Sequence, residues 1–334
     1  MRPTQEQKAK AFAALHRGEP FIIPNPWDAG SARVLEALGF KALATTSSGF
    51  AFTLGRQDGG TTLDELAAHV ALLDRASSLP VSVDLENGFG AEPAAAAIAI
   101  ERAASAGAVG GSIEDYDPRG WIYPLDLAVE RVAAACEAAR ALPFPFTVTA
   151  RAENHLRGVD DLDDTIARLQ AYERAGADVL YAPALRDADT IRAVCDAVSA
   201  PVNVLARRGL SMAEIAAAGA QRVSVGGSLT WAAVTAMARA ATAMRDDGDH
   251  LPLGGAQARR LLVEHPEVRE PRGQPLGAER VGAEDVGDEA DALARGAEQA
   301  LQLGRQVGLV GNGEPGDAVH ARQCRAVAPG PARE

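Results

Sequence analysis

The segment SVDLENGFG, residues 82–90, sets Asp84 and Glu86 two residues apart at the end of an apolar run. Side chains alternate along a strand, so a strand through this run points both carboxylates to one side. Two like charges on one face repel unless a cation sits between them. Further along, Glu114 and Asp115 end the run VGGSIED, Arg151 and Glu153 end FTVTARAE, and Asn203 lies within PVNVLA. Asp84, Glu86 and Glu114 converging on one rim suit a hard divalent cation, Mg2+ or Mn2+. Mg2+ keeps several waters and takes only one or two carboxylates directly. Asp84 is therefore expected as the direct ligand, with Glu86 and Glu114 acting directly or through water. A solvated acidic rim, or salt bridges to helix-borne arginines, is the reading that needs no metal.

Elements must bring these acids together, and the chain supplies a regular alternation. Short apolar or β-branched runs occur at 21–25, 41–46, 81–86, 109–114, 146–151, 178–183, 201–206 and 222–227. Alanine-rich stretches with helical spacing separate them, such as LDELAAHVALLDRA, EPAAAAIAIERAASAG and LDLAVERVAAACEAARAL. Such alternation predicts parallel strands joined by helical crossovers. Eight units in this length predict an α/β fold, a (β/α)8 TIM barrel preceded by an N-terminal helix. The acids and Arg151 then fall at the C-terminal ends of strands, where barrel active sites are built. A doubly wound open sheet is the alternative, but no glycine-rich phosphate turn follows an early strand.

The barrel is expected over 1–248. From 249 to 334 the chain becomes rich in Gly, Ala, Arg, Pro and Glu, and a largely disordered or weakly helical tail is expected, with 285–306 its most helical stretch. Among 334 residues, the formal net charge of -12 argues against nucleic acid or an anionic membrane as partner. No apolar run is long enough to span a bilayer, and the first twenty residues have no apolar signal core. Cys136, Cys195 and Cys324 have neither zinc nor redox spacing, so a reduced, cytoplasmic setting is expected.

The segments NPWDAGSARVLEALGFKALATTSSGFAF, VDLENGFG, SIEDYD, TARAEN and PVNVL…RVSVGG together resemble the isocitrate lyase/phosphoenolpyruvate mutase superfamily, nearest in pattern to its carboxyphosphonoenolpyruvate phosphonomutase-like branch. The resemblance runs from about residue 4 to 245. It implies a (β/α)8 barrel, a homo-oligomer (dimer or tetramer) with a C-terminal helix exchanged between subunits, and Mg2+-dependent enolate chemistry on small 2-oxo or 2-hydroxy carboxylic acids. Position by position, it implies that Ser48, Gly49 and Phe50 hold the substrate carboxylate and that Asp58 stands near the metal waters. It gives Asp84, Glu86 and Glu114 to the metal; the second acid is usually Asp, so Glu86 departs by one methylene. Arg151 would neutralise charge on the reacting oxygen, with Glu153 and Asn203 supporting the substrate.

A larger departure lies after the fourth strand. Lyases of this superfamily carry a Lys-(Lys/Arg)-Cys-Gly-His loop whose Cys donates a proton, and the mutases carry a Lys and an Asn there. This chain reads EDYDPRGWIYPLDLAVERV, with no Cys, Lys or Asn in the loop. Arg119, Trp121 and Tyr123 are what it offers, with His155 after the fifth strand as a further acid/base candidate; Cys136 reads as a small buried hydrophobe. A C–C lyase or decarboxylase is the expected activity, with oxaloacetate favoured over isocitrate or 2-methylisocitrate because solvent can protonate a released enolate. The alternatives are a P–C phosphonomutase or phosphonopyruvate hydrolase, and a non-catalytic keto-acid-binding barrel.

Overall fold

The computed structural model describes residues 2–247. The expected tail over 249–334 lies outside the described residues, as does its predicted helical stretch. All eight predicted strands form: β1 (Phe21–Ile23), β2 (Leu43–Ala44), β3 (Val81–Asp84), β4 (Gly110–Glu114), β7 (Thr147–Arg151), β8 (Val179–Tyr181), β9 (Val202–Leu205) and β10 (Arg222–Ser224). They pair in parallel in the order β1-β10-β9-β8-β7-β4-β3-β2. No ladder joins β1 to β2. The ring closes there through one backbone bond, Ala44 N–H to Pro24 O at 3.0 Å. The Asn25 side chain reinforces it, donating to Thr45 O (2.9 Å) and accepting from the Val225 and Gly226 N–H groups, both at 2.9 Å. Two further short strands, β5 (Tyr116–Asp117) and β6 (Trp121–Ile122), form an antiparallel hairpin over the barrel mouth side of β4. The alternation of apolar runs did not reveal this hairpin, because two-residue strands carry no periodicity.

The helices start where their sequences provide caps. Thr4 with Gln7 opens α1 (Gln5–Leu15), Asp28 with Ser31 opens α2 (Ala29–Ala37), and Thr62 with Glu65 opens α4 (Leu63–Ala76), each as a reciprocal capping box. α5 (Pro93–Ser105) begins instead with proline, whose missing N–H costs nothing in the first turn. The alanines that looked compositionally bland are the packing surface: Ala96, Ala99 and Ala103 of α5 and Ala128, Ala135 and Ala139 of α6 (Leu125–Arg140) are buried in the main core. Small side chains let these neighbouring helices sit close to the sheet. α1 packs across the starts of the strands, with Phe12 fully buried among Ile23, Ala42 and Val109. Gly110 makes room for it, since a Cβ there would lie 2.7 Å from the Phe12 ring. Among the described residues, no helix is long and apolar enough to cross a membrane.

Candidate active site

The acids collect at the C-terminal rim around one guanidinium. Register places Glu114 beside Arg151 and Arg151 beside Tyr181 on adjacent strands. Arg151 Nη1 lies 3.5 Å from Glu114 Oε2 and 3.9 Å from Asp84 Oδ1, while its Nε is hydrogen-bonded to Glu153 Oε1. The Tyr181 ring lies beneath it, 5.3 Å from Cζ to centroid. Burial alone would depress the Arg151 pKa, but Glu153 and Glu114 outweigh it and hold the group firmly charged.

Asp84 ends β3, its N–H donating to Thr45 Oγ1 (2.8 Å) and its Oδ2 accepting from Ser47 N–H (3.3 Å). Glu86 does not join it by strand alternation. The strand stops at Asp84, and Glu86 adopts a left-handed backbone with φ 49°. Such a conformation in a non-glycine residue costs roughly 1–3 kcal/mol and gathers at functional sites. The turn returns the carboxylate to the cluster, where Thr61 Oγ1 donates to it at 3.5 Å. Burial, then Asp84 and Asp58, push the Glu86 carboxyl up to about 8. Asp58 is likewise raised by burial and by Asp84, against a hydrogen bond from Ser47. Glu114 is raised by burial and by Glu153.

Sequence reasoning missed one residue here and misplaced another. Arg157, on the loop after β7, bonds Glu153 Oε2 through Nε (2.9 Å), approaches Glu114 Oε1 (3.6 Å) and stacks on the Tyr116 ring at 3.5 Å. Asp115, read as a rim acid, is buried away from the mouth. It accepts from Tyr172 Oη (2.6 Å), Arg168 Nη1 (3.1 Å) and the Glu153 N–H (2.8 Å), tying α7 (Leu162–Arg174) to the end of β7. A helix arginine and tyrosine four residues apart, Arg168 and Tyr172, on a face turned to an acid was the available signal.

Other predicted residues are placed apart from this cluster. The Tyr123 ring is buried, its hydroxyl donating to Asp117 Oδ2 (3.2 Å) and accepting from Asn87 Nδ2 (3.0 Å). His155 meets Asp160 through Nδ1 (3.0 Å), and its Nε2 is buried without a partner among the described residues. The Asn203 amide is engaged by Ser224 Oγ (3.0 Å) and Arg222 Nε (2.8 Å), one layer down in the barrel. Arg119 is held in a two-point contact by Asp117 and lies over Trp121. Cys136 is buried in α6, which pushes its thiol up to about 12.

Ser48, Gly49 and Phe50 start the short helix α3 (Ser47–Thr53) beside Asp84. Thr46 takes the Gly49 N–H on its Oγ1 (3.4 Å) and the Phe50 N–H on its carbonyl (3.0 Å). The Phe50 ring turns into the core and stacks on His69 at 4.0 Å. Ser48 keeps its Oγ at the rim, 3.2 Å from Thr46 Oγ1. Gly49 has no space for a side chain, because a Cβ would come within 2.6 Å of Thr230 and Thr46.

Among the described residues, Asp58, Asp84, Glu86, Glu114 and Glu153 thus face only two guanidiniums, Arg151 and Arg157. Burial first, and then neighbouring acids, raise the carboxyls of Asp58, Glu86 and Glu114, a cost that a hard, oxygen-preferring divalent cation would relieve. Among the described residues, no three acids or histidines form a ready-made direct shell. The arrangement fits an ion bound through one or two carboxylates and waters, in the manner of Mg2+.

The phosphoenolpyruvate phosphomutase family model matches residues 12–245, and the chain belongs to that family, within the isocitrate lyase/phosphoenolpyruvate mutase superfamily. A Burkholderia cenocepacia J2315 protein, solved by crystallography and classed only as a lyase/mutase, is 56% identical with TM-score 0.74, covering 77% of this chain and 96% of its own. Protein Rv1998c of Mycobacterium tuberculosis H37Rv is 36% identical over 71% of this chain and 89% of its own length. The 2-methylisocitrate lyase of Escherichia coli K12 is 32% identical over 58% of this chain and 68% of its own.

Proposed function

We propose that the protein is a Mg2+-dependent enzyme that cleaves a C–C bond beside the carboxylate of a small 2-oxo or 2-hydroxy acid, through an enolate. The observation that supports this most is Arg151, buried and charged, between Asp84, Glu114 and Glu153 at the barrel rim. Asp84, helped by Glu86 and Glu114, would hold the cation, whose chemistry when bound is Lewis-acid polarisation of the substrate's 2-oxygen. Arg151 presents a fixed positive charge to the oxygen on which enolate charge develops, and its position costs no reorganisation. Ser48 offers its hydroxyl to the substrate carboxylate. Glu153 holds the Arg151 fork in orientation and is itself fixed by Asp115. Among the described residues, no thiol stands at the mouth: Cys136 is buried in α6. Protonation of the enolate by solvent follows, and oxaloacetate decarboxylation is favoured over isocitrate or 2-methylisocitrate cleavage. We further propose a homo-oligomer working in the cytoplasm; Met237 and Met244, 61% and 47% exposed on α10 (Ser228–Asp247), support a covered helix face.

The test is turnover of oxaloacetate, isocitrate, 2-methylisocitrate and phosphonopyruvate side by side, with Mg2+ and with chelator. Oxaloacetate cleavage is expected, abolished by chelator and reduced on the order of 100-fold or more by Arg151→Ala. Turnover of phosphonopyruvate alone would move the assignment to P–C chemistry. Binding without turnover of any compound would make the protein a keto-acid-binding barrel.

A further inference from the structure

We infer that Arg157 is the specificity-determining residue that binds the far carboxylate of the substrate; this rests on the keto-acid reading above, in which the favoured substrate, oxaloacetate, carries two. Arg157 stands one layer further out than Arg151, its side chain 33% exposed against 13%. It is pinned on three sides. Its Nε is fixed at 2.9 Å by Glu153 Oε2, while Arg151 occupies the other oxygen of the same carboxylate. Its Nη2 lies 3.6 Å from Glu114 Oε1, and the Tyr116 ring covers one face at 3.5 Å. Among the described residues, Nη1 has no hydrogen-bond acceptor, so one edge of the fork is uncommitted.

A guanidinium held this way is pre-organised, and a ligand gains its charge-assisted bonds with little loss of side-chain freedom. The surrounding charge makes the edge selective. Glu86, Glu114 and Asp58 crowd the mouth, and a second carboxylate entering there meets repulsion except beside a free cationic edge. Arg119, on the facing hairpin, is already committed to Asp117 through two bonds of 2.9 Å. Glu153 therefore acts as a spacer between two cations, with Arg151 over the reacting end of the substrate and Arg157 over its far end.

The experiment compares malate with 2-hydroxybutyrate, which replaces the far carboxylate by a methyl group, by calorimetry on the full chain in Mg2+. Oxalate, which fits the inner site alone, is the control. Wild type is expected to prefer malate by about ten- to hundredfold, the worth of a charge-assisted fork. In Arg157→Gln the ratio should fall to near one; any change that loss of the contacts to Glu114 and Glu153 makes at the inner site acts on malate and 2-hydroxybutyrate alike, is read from oxalate, and cancels in the ratio. Arg157→Lys should give an intermediate ratio and carries the test alone if the Gln variant does not fold. An unchanged malate preference in either variant overturns the inference. Wild-type protein that binds no oxalate in Mg2+ overturns the keto-acid reading itself, and this inference with it.

Discussion

Replacing Asp115 by asparagine keeps the shape of a buried side chain and removes its charge. Three donors converge on this carboxylate: Tyr172 Oη, Arg168 Nη1 and the Glu153 N–H. An amide offers one oxygen and turns an NH2 toward the rest, so at least one buried donor is orphaned. Arg168 also loses one of its two acids, keeping only Asp164 at 2.7 Å. Breaking a buried ion pair from one side costs about 3–5 kcal/mol. Burial already raises the Asp115 pKa against its donors, so part of the desolvation penalty is recovered and the lower end applies. At about 2–4 °C per kcal/mol for a domain of this size, ~3 kcal/mol lowers Tm by roughly 6–12 °C. Thermal unfolding followed by circular dichroism measures this directly. Tyr172→Phe should cost less alone, and the double variant less than the sum, because both act on one network. A Tm within about 2 °C of wild type would refute the reasoning and make the network an incidental contact. Since Asp115 fixes the N–H of Glu153, turnover should also drop at temperatures where the variant is folded.

Two other expectations concern charge. Mg2+ should raise the Tm of the protein and chelator should lower it, and Asp84→Ala should abolish that response while leaving the metal-free Tm within a few degrees; a full Mg2+ shift in the variant would remove Asp84 as ligand. Burial, with Arg222 beside it, lowers His16 to about 3, and burial lowers His69 to about 4 against the pull of Asp28. The unfolded chain protonates both near 6.5, so their contribution is complete above that pH and is lost as pH falls, at about 1.4 kcal/mol per unit each. From pH 7 to 5, denaturant unfolding of His69→Gln should show a drop smaller than wild type by about 2 kcal/mol. The opposite-signed contribution of Glu86 is common to both proteins and cancels in the difference. Equal drops would show that His69 titrates freely.

The barrel was legible because its signals are local and repeated: eight apolar runs, each followed by a helical stretch, leave few alternatives. Asp84, Glu86, Glu114 and Arg151 were legible because each sits at the end of such a run, where a barrel places chemistry. Glu86 reached the site for a different reason than alternation suggested, since its left-handed backbone is invisible in a residue that is not glycine. Arg157 was missed because its place depends on how the loop after β7 folds back over Tyr116. Asn203 and Tyr123 carry polar groups at plausible positions, yet their partners, Arg222, Ser224, Asn87 and Asp117, come from distant parts of the chain. Composition cannot tell a polar group aimed at a ligand from one already satisfied by the protein.

The join between β1 and β2 gives the barrel a mechanical character of its own. A ring of staves is as stiff as its weakest joint, and here that joint is one backbone hydrogen bond and the Asn25 amide. Thermal breathing of the hoop is therefore expected first at this place, where no strand ladder spans the join. Thr45, whose carbonyl Asn25 holds, is also the residue whose hydroxyl receives the Asp84 N–H. Opening the hoop by a fraction of an ångström moves the very acid assigned to the metal, so that the clasp of the fold and the alignment of its chemistry are one device, with Asn25 as the pin.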